Sequence, residues 1–315
     1  MHLFNYYSRE VQSQEILMNI EEIYFKLFLL VAFILGPAMT QVFIFKGKGP
    51  KTYALAHKIV IAILILGELT HLKFLALAWP AFCIYGLIIL LRLNKISITT
   101  HPLTLISNTI VLFLNPRALL ELIALGFSIG GSFWFLGGVF NFDLLGYDAF
   151  WCYLTALHFN FLGWLLIGSL SHLSHYYDGI HSKIFLLGGF LVTGFFMLVA
   201  MGFHGVPYVK LLAVPGLSLG VPFLLLWHFI KTFKQPNTYV TLFAGISVLV
   251  NLTSMVLAVA YEFSVTLFGN SYNIHNMVST HGLLNAFVVI PALLISLFLM
   301  KKYPHQIHYR ERARV

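Results

Sequence analysis

The chain has 315 residues, of which 59% are hydrophobic and 10% charged, with a mean hydropathy of +0.86 and a formal net charge of +8. A soluble domain carries roughly 25% charged residues, so this composition excludes an ordinary water-soluble fold. Nor does the positive charge point to nucleic acid, because Lys and Arg fall in short clusters between apolar runs and build no continuous basic face.

Residues 1–22 mix Arg9 with Glu10, Glu15, Glu21 and Glu22 and lack the basic start and small-residue cleavage site of a signal peptide. Beyond them, nine apolar runs are long enough to cross a hydrocarbon core about 30 Å thick as helix. In chain order they are Ile23 to Phe45, Tyr53 to Thr70, Phe74 to Leu93, Ala118 to Phe140, Ala149 to Leu170, Ile184 to Phe203, Val206 to Phe233, Tyr239 to Tyr261 and Val278 to Met300. The second and third are the least clear-cut pair, since Glu68, His71 and Lys73 interrupt what would otherwise be one long hairpin. Ser97 to Asn115 is apolar but short and opens on His101-Pro102, which suits an interfacial or re-entrant helix. In the seventh run, Val214-Pro215-Gly216 and Gly220-Val221-Pro222 bracket a turn that either unwinds, as in transporters, or continues as ordinary membrane helix.

The charges orient this arrangement. With the N-terminus outside, the cytoplasmic segments hold Lys46, Lys48, Lys51, Lys58, Arg92, Lys95, Arg117, Lys183, Lys231, Lys234, Lys301, Lys302, Arg310, Arg312 and Arg314, against Arg9, Lys26, Lys73 and Lys210 outside. The expectation is an all-α, polytopic transmembrane helix bundle of about nine spans, with the N-terminus outside and the C-terminus cytoplasmic. It forms a single transmembrane domain over 1–315, flanked by an extracytoplasmic segment at 1–22 and a basic cytoplasmic tail at 301–315. The lipid bilayer of the cell membrane is the expected partner, and no nucleic acid is expected. Cys83 and Cys152 sit inside apolar runs without metal-site or disulfide spacing and read as small core residues.

Ionisable groups within a span are costly and usually face a cavity or a partner, so they are where function is sought. Glu68 and His71 lie three residues apart at the outer end of the second run. His158 is nine residues into the fifth, about 13 Å deep at ~1.5 Å per residue. His204 ends the sixth run, while Asn251 lies on the eighth and Glu262 follows it. His281 opens the ninth, with Asn285 one turn deeper on the same face. Glu68, His158, His281 and Asn285 are therefore the candidate catalytic residues, and His71, His158, His204 and His281 the candidate ligands of a divalent metal. The plainer alternatives are interfacial anchoring for His71, His204 and His275, and for His158 a hydrogen bond to a backbone carbonyl freed by a kink. His172, His175, Tyr176, Tyr177, Asp178 and His181 read as a solvated cytoplasmic loop, since they lack the repeats a di-iron site needs. Thr155, His158, Ser169 and His172 fall on roughly one face of the fifth run, a sparse polar stripe.

The segments LTALHFNFLGW around His158 and STHGLLNAF around His281, set in an apolar C-terminal half, resemble the YndJ-like family of bacterial membrane proteins over Ala149 to Leu299. Asn160 stands where the family pattern leads one to expect a second His or another polar residue. The resemblance implies a bacterial cell membrane and directs attention to His158, His281 and Asn285; it brings no agreed activity with it.

Three functional classes follow. The first is a membrane enzyme that uses an outer-half His/Glu pocket on a hydrophobic, lipid- or isoprenoid-like small molecule, by acid/base or metal-assisted chemistry. The second is a transporter or channel built on the polar stripe, and the third a haem-binding electron-transfer protein with two His axial ligands.

Overall fold

A computed structural model describes residues 2–94, 114–203, 205–206, 208–264, 266–267, 270–271 and 273–303, with side chains described from residue 21 onward except at 266–267 and 270–271. His204, almost all of the stretch Ser97 to Asn115 and most of the basic tail lie outside the described residues. Nine of the described helices are long and apolar enough to cross a membrane. They are α1 (Glu21–Ile44), α2 (Lys51–Thr70), α3 (Lys73–Leu93), α4 (Pro116–Phe140), α5 (Ala149–Tyr176), α6 (Gly179–Phe203), α7 (Val209–Thr232), α8 (Thr238–Glu262) and α9 (Ile274–Lys302). The chain is an all-α, multi-pass membrane bundle. A minimal antiparallel pairing of Thr266–Leu267 with Asn270–Ser271 sits between α8 and α9.

The helix starts follow from local chemistry. Asn115 caps α4 by accepting from the Ala118 N–H at 3.3 Å, with Pro116 at the first helical position, where its missing N–H costs nothing. Asp148 caps α5 through the Trp151 N–H at 3.1 Å. Asn237 and Asn273 do the same for α8 and α9 through Tyr239 and Asn276. His71 ends α2 in the left-handed region at φ 58°, turning the chain directly into α3. Helix α7 runs unbroken through Pro215 and Pro222, so the unwound alternative gives way to ordinary helix.

Successive helices alternate in direction, so the connections gather at two ends. At the basic end, the Lys46 ammonium lies 3.3 Å from Glu121, Lys301 donates to the Val42 carbonyl at 2.7 Å, and Arg117 donates to Ser182 at 2.7 Å. At the opposite end Lys26 pairs with Glu68, Lys210 with Glu262 and His275 with Glu21.

Lipid offers apolar side chains no hydrophobic gain over a neighbouring helix, so the bundle is held by close packing and by hydrogen bonds between helices. Glycines permit that approach at α5. A Cβ at Gly36 would come within 2.3 Å of the Trp164 ring, and one at Gly131 within 2.7 Å of the Asn160 amide. Trp164 also donates from Nε1 to Thr40 Oγ1 at 3.0 Å, joining α5 to α1. Helix α5 is buried over 61% of its span and α2 over 11%, so α5 runs through the centre and α2 lies at the rim. Helix α1 meets α9 through Phe28 on Phe287 and Phe43 on Phe298.

Backbone geometry changes where α1, α5 and α9 meet. Thr40–Ile44, Phe159–Leu166, Val278–Gly282 and Asn285–Val289 are wound as π-helix. Such segments widen the turn and recur at functional sites.

Candidate functional site

A cavity of about 110 Å³ opens in the half of the bundle away from the basic end, between α1, α5, α7, α8 and α9. Its wall is mostly apolar, with Phe28, Leu154, Leu157, Phe161, Leu162, Val221 and Ile290 among its residues, and its polar side chains are His158, Asn251, His281 and Asn285. His158 and His281 thus share one pocket, and Asn285 shares it with them.

Each ring is held by one nitrogen. His158 Nδ1 lies 2.7 Å from the Leu154 carbonyl, one turn back on its own helix. His281 Nδ1 lies 2.9 Å from both the carbonyl and the hydroxyl of Ser254 on α8. A carbonyl can only accept, so in both rings Nδ1 carries the hydrogen and Nε2 the lone pair. Asn285 Nδ2 donates to Ser254 Oγ at 2.5 Å and to the His281 carbonyl at 2.8 Å, which uses both its hydrogens and leaves Oδ1 as an acceptor. Asn251, 1% exposed, keeps its Oδ1 without a partner among the described residues. His158 thus makes the backbone-carbonyl bond of the plainer alternative, and the same residue lines the cavity.

Other expected members lie elsewhere. Glu68 is 61% exposed at its side chain and accepts from Lys26 Nζ at 2.6 Å, because the rim position of α2 turns it toward α1 and away from α5. His71 is an exposed helix terminus. Neither lines the cavity. Among the described residues no group of three or more His, Cys, Asp or Glu is placed to hold a metal, so the expected set of several His plus a carboxylate is not assembled there. Asn160 is fully buried on a different face of α5, donating to the Ala156 carbonyl at 2.7 Å.

The solvated-loop reading of residues 172–181 also needs correction. Helix α5 extends to Tyr176 and carries His172 and His175 with it. His175 Nε2 lies 3.0 Å from the carboxylate of Glu121, which is 3% exposed, and His172 stacks on Phe43 with ring centroids 4.2 Å apart. Tyr177 donates to His228 Nδ1 at 3.4 Å, and His228 Nε2 donates to Ser296 Oγ at 3.1 Å. Ser296 in turn donates to the Val240 carbonyl.

Glu121, His228, Ser254 and Ser296 were not marked by sequence, because each is a lone polar residue whose partner comes from another helix. Met255 and Met277 also line the cavity. Only Met277 carries a signal, standing four residues before His281.

The model of the YndJ-like protein family matches residues 103–289, more than half of the chain. The chain belongs to the YndJ-like family. The match begins upstream of the resemblance seen in sequence, and takes in α4 together with the segments that place His158, Asn251, Met255, His281 and Asn285. No curated protein and no solved structure matches the chain.

Proposed function

We propose that this YndJ-like protein binds a hydrophobic, lipid- or isoprenoid-like molecule within the membrane and acts on its polar end through His158 and His281. The supporting observation is the cavity itself: apolar walls on five helices, with two hydrogen-bonded imidazoles and two carboxamides among the lining residues. Pockets that combine an apolar wall with a few placed polar groups are the usual form of small-molecule sites. The two Nε2 lone pairs can accept a proton from a substrate hydroxyl or hold a metal ion that polarises it, so both acid/base and metal-assisted chemistry fall within reach of the same pair. Glu68 takes no part in this version of the site. The transporter reading draws on a break in α7 and a polar stripe on α5; α7 is continuous and Phe159–Leu166 on α5 is π-helical, so the cavity carries the preferred reading.

Mass spectrometry of the protein purified in mild detergent tests the proposal. The expected result is a retained lipid-like molecule, absent from the His158→Ala/His281→Ala variant. A wild-type protein carrying nothing beyond bulk phospholipid would overturn it. The distribution of basic residues supports an N-terminus outside the cell membrane. Accessibility labelling of Asn5→Cys and Arg310→Cys is expected to find them on opposite faces, with residue 5 outside; the native Cys83 and Cys152 are buried and silent.

A further inference from the structure

The cavity has an unusual balance of donors and acceptors. Both Nδ1 hydrogens and both Asn285 amide hydrogens are already used inside the protein. Apart from Asn251, the polar or sulfur-bearing residues lining the space are His158, His281, Asn285, Met255 and Met277, whose atoms without a hydrogen to give are the imidazole Nε2, the Asn285 Oδ1 and the thioether sulfurs. A single hydroxyl group could satisfy only one of them. No carboxylate and no ammonium lines the wall, so the site carries no formal charge.

That set has a natural occupant. Hard cations such as magnesium or calcium need oxygen ligands and negative charge, and zinc is held in proteins by thiolate, imidazole and carboxylate. Neutral imidazole and thioether ligands suit a soft monovalent ion. The second shell is of the kind ligating histidines use, each Nδ1–H tied to a backbone carbonyl so that the ring is fixed and Nε2 is presented. The placement along the helices agrees. Met277 stands four residues before His281, near the start of the π-helical turn Val278–Gly282, while Met255 directly follows the Ser254 that anchors His281.

We infer that His158, His281, Met255 and Met277 form an intramembrane binding site for a soft monovalent metal ion, Cu(I) in chemical class. The inference rests on the reading of this cavity as the functional site and adds to it the ion that its neutral nitrogen and sulfur donors would hold.

The test uses purified full-length protein in detergent micelles, freed of metal by dialysis and titrated with Cu(I), kept reduced by ascorbate, against the chromophoric chelator bicinchoninate. The expected result is withdrawal of one equivalent of Cu(I), with both nitrogen and sulfur in the X-ray absorption spectrum. Met255→Leu/Met277→Leu conserves volume and is expected to keep the fold. This pair should weaken binding by about tenfold or more, on the scale of losses seen when metal-site surroundings are altered. His158→Ala/His281→Ala should abolish it. Failure of folded wild-type protein to compete for Cu(I), or competition that the double Leu variant leaves unchanged, overturns the inference. Retained lipid is read on the same samples by mass spectrometry. Lipid without Cu(I) affinity would refute the metal and leave the lipid pocket standing, and Cu(I) affinity without lipid would do the reverse.

Discussion

At the basic end of the bundle His228 uses both ring nitrogens, accepting from Tyr177 and donating to Ser296, and Glu121 is met by His175 and Lys46. In the cavity at the other end His158 and His281 use one nitrogen each. Both clusters are built from histidines in spans, and both draw on α5 or its continuation together with α9. A buried polar group with its partners supplied by the protein ties helices together, at a net gain of roughly 1 kcal/mol per bond. A group fixed on one side and open on the other retains capacity for something that is not protein. The network of Tyr177, His228 and Ser296 and the Glu121 pair therefore read as structure and the cavity as function, although His172 beside them keeps a buried Nε2 without a partner among the described residues.

The sharpest break between the two would come from His158→Ala and His281→Ala. Each is expected to cut ligand or Cu(I) affinity by roughly a hundredfold, beyond the loss typical of second-shell changes, with only a small shift in thermal midpoint. Equilibrium titration beside a melting curve in the same detergent measures both. His228→Leu is expected to do the opposite. It strands the Tyr177 and Ser296 hydroxyls in a buried setting, which costs about 1–3 kcal/mol of stability, and leaves affinity within about twofold. Equal effects of the two substitutions on affinity would erase the distinction. Ser254→Ala lies between them: the carbonyl that holds His281 survives while the hydroxyl shared with Asn285 is lost, so a fall of about tenfold in affinity is expected by titration. Glu68→Gln should do least, changing stability by no more than about 1 kcal/mol as an exposed pair does, and leaving affinity unaltered. A large loss of affinity there would return Glu68 to the site.

The nine spans were legible because hydropathy and the alternation of basic clusters report directly on a bilayer; His158 and His281 do line one cavity, but the reasoning that His158 needs a partner from another helix missed the Leu154 carbonyl one turn back on its own. Depth, however, does not carry direction. Glu68 lies at a plausible height but on a rim helix, and nothing in its neighbours Gly67 and Leu69 says which way it turns. Counting at 3.6 residues per turn also fails along α5. The stretch Phe159–Leu166 winds more loosely, so Ser169 and His172 do not continue the face that His158 begins. The two methionines escaped notice for a simpler reason, since thioethers read as apolar filler in a chain that is mostly apolar.

The union of α1 with α9 has a consequence for how the protein is made. Glu21 meets His275, Phe28 meets Phe287 and Val42 receives Lys301, so α1 is completed by α9, eight spans later in the chain. Synthesis proceeds from the N-terminus, and a bundle holding only α1 to α8 has Phe28, His158 and Asn251 in place with no wall opposite them. The cavity is thus the final product of assembly, formed when α9 enters, and a nascent chain halted after α8 would be a membrane protein without a site.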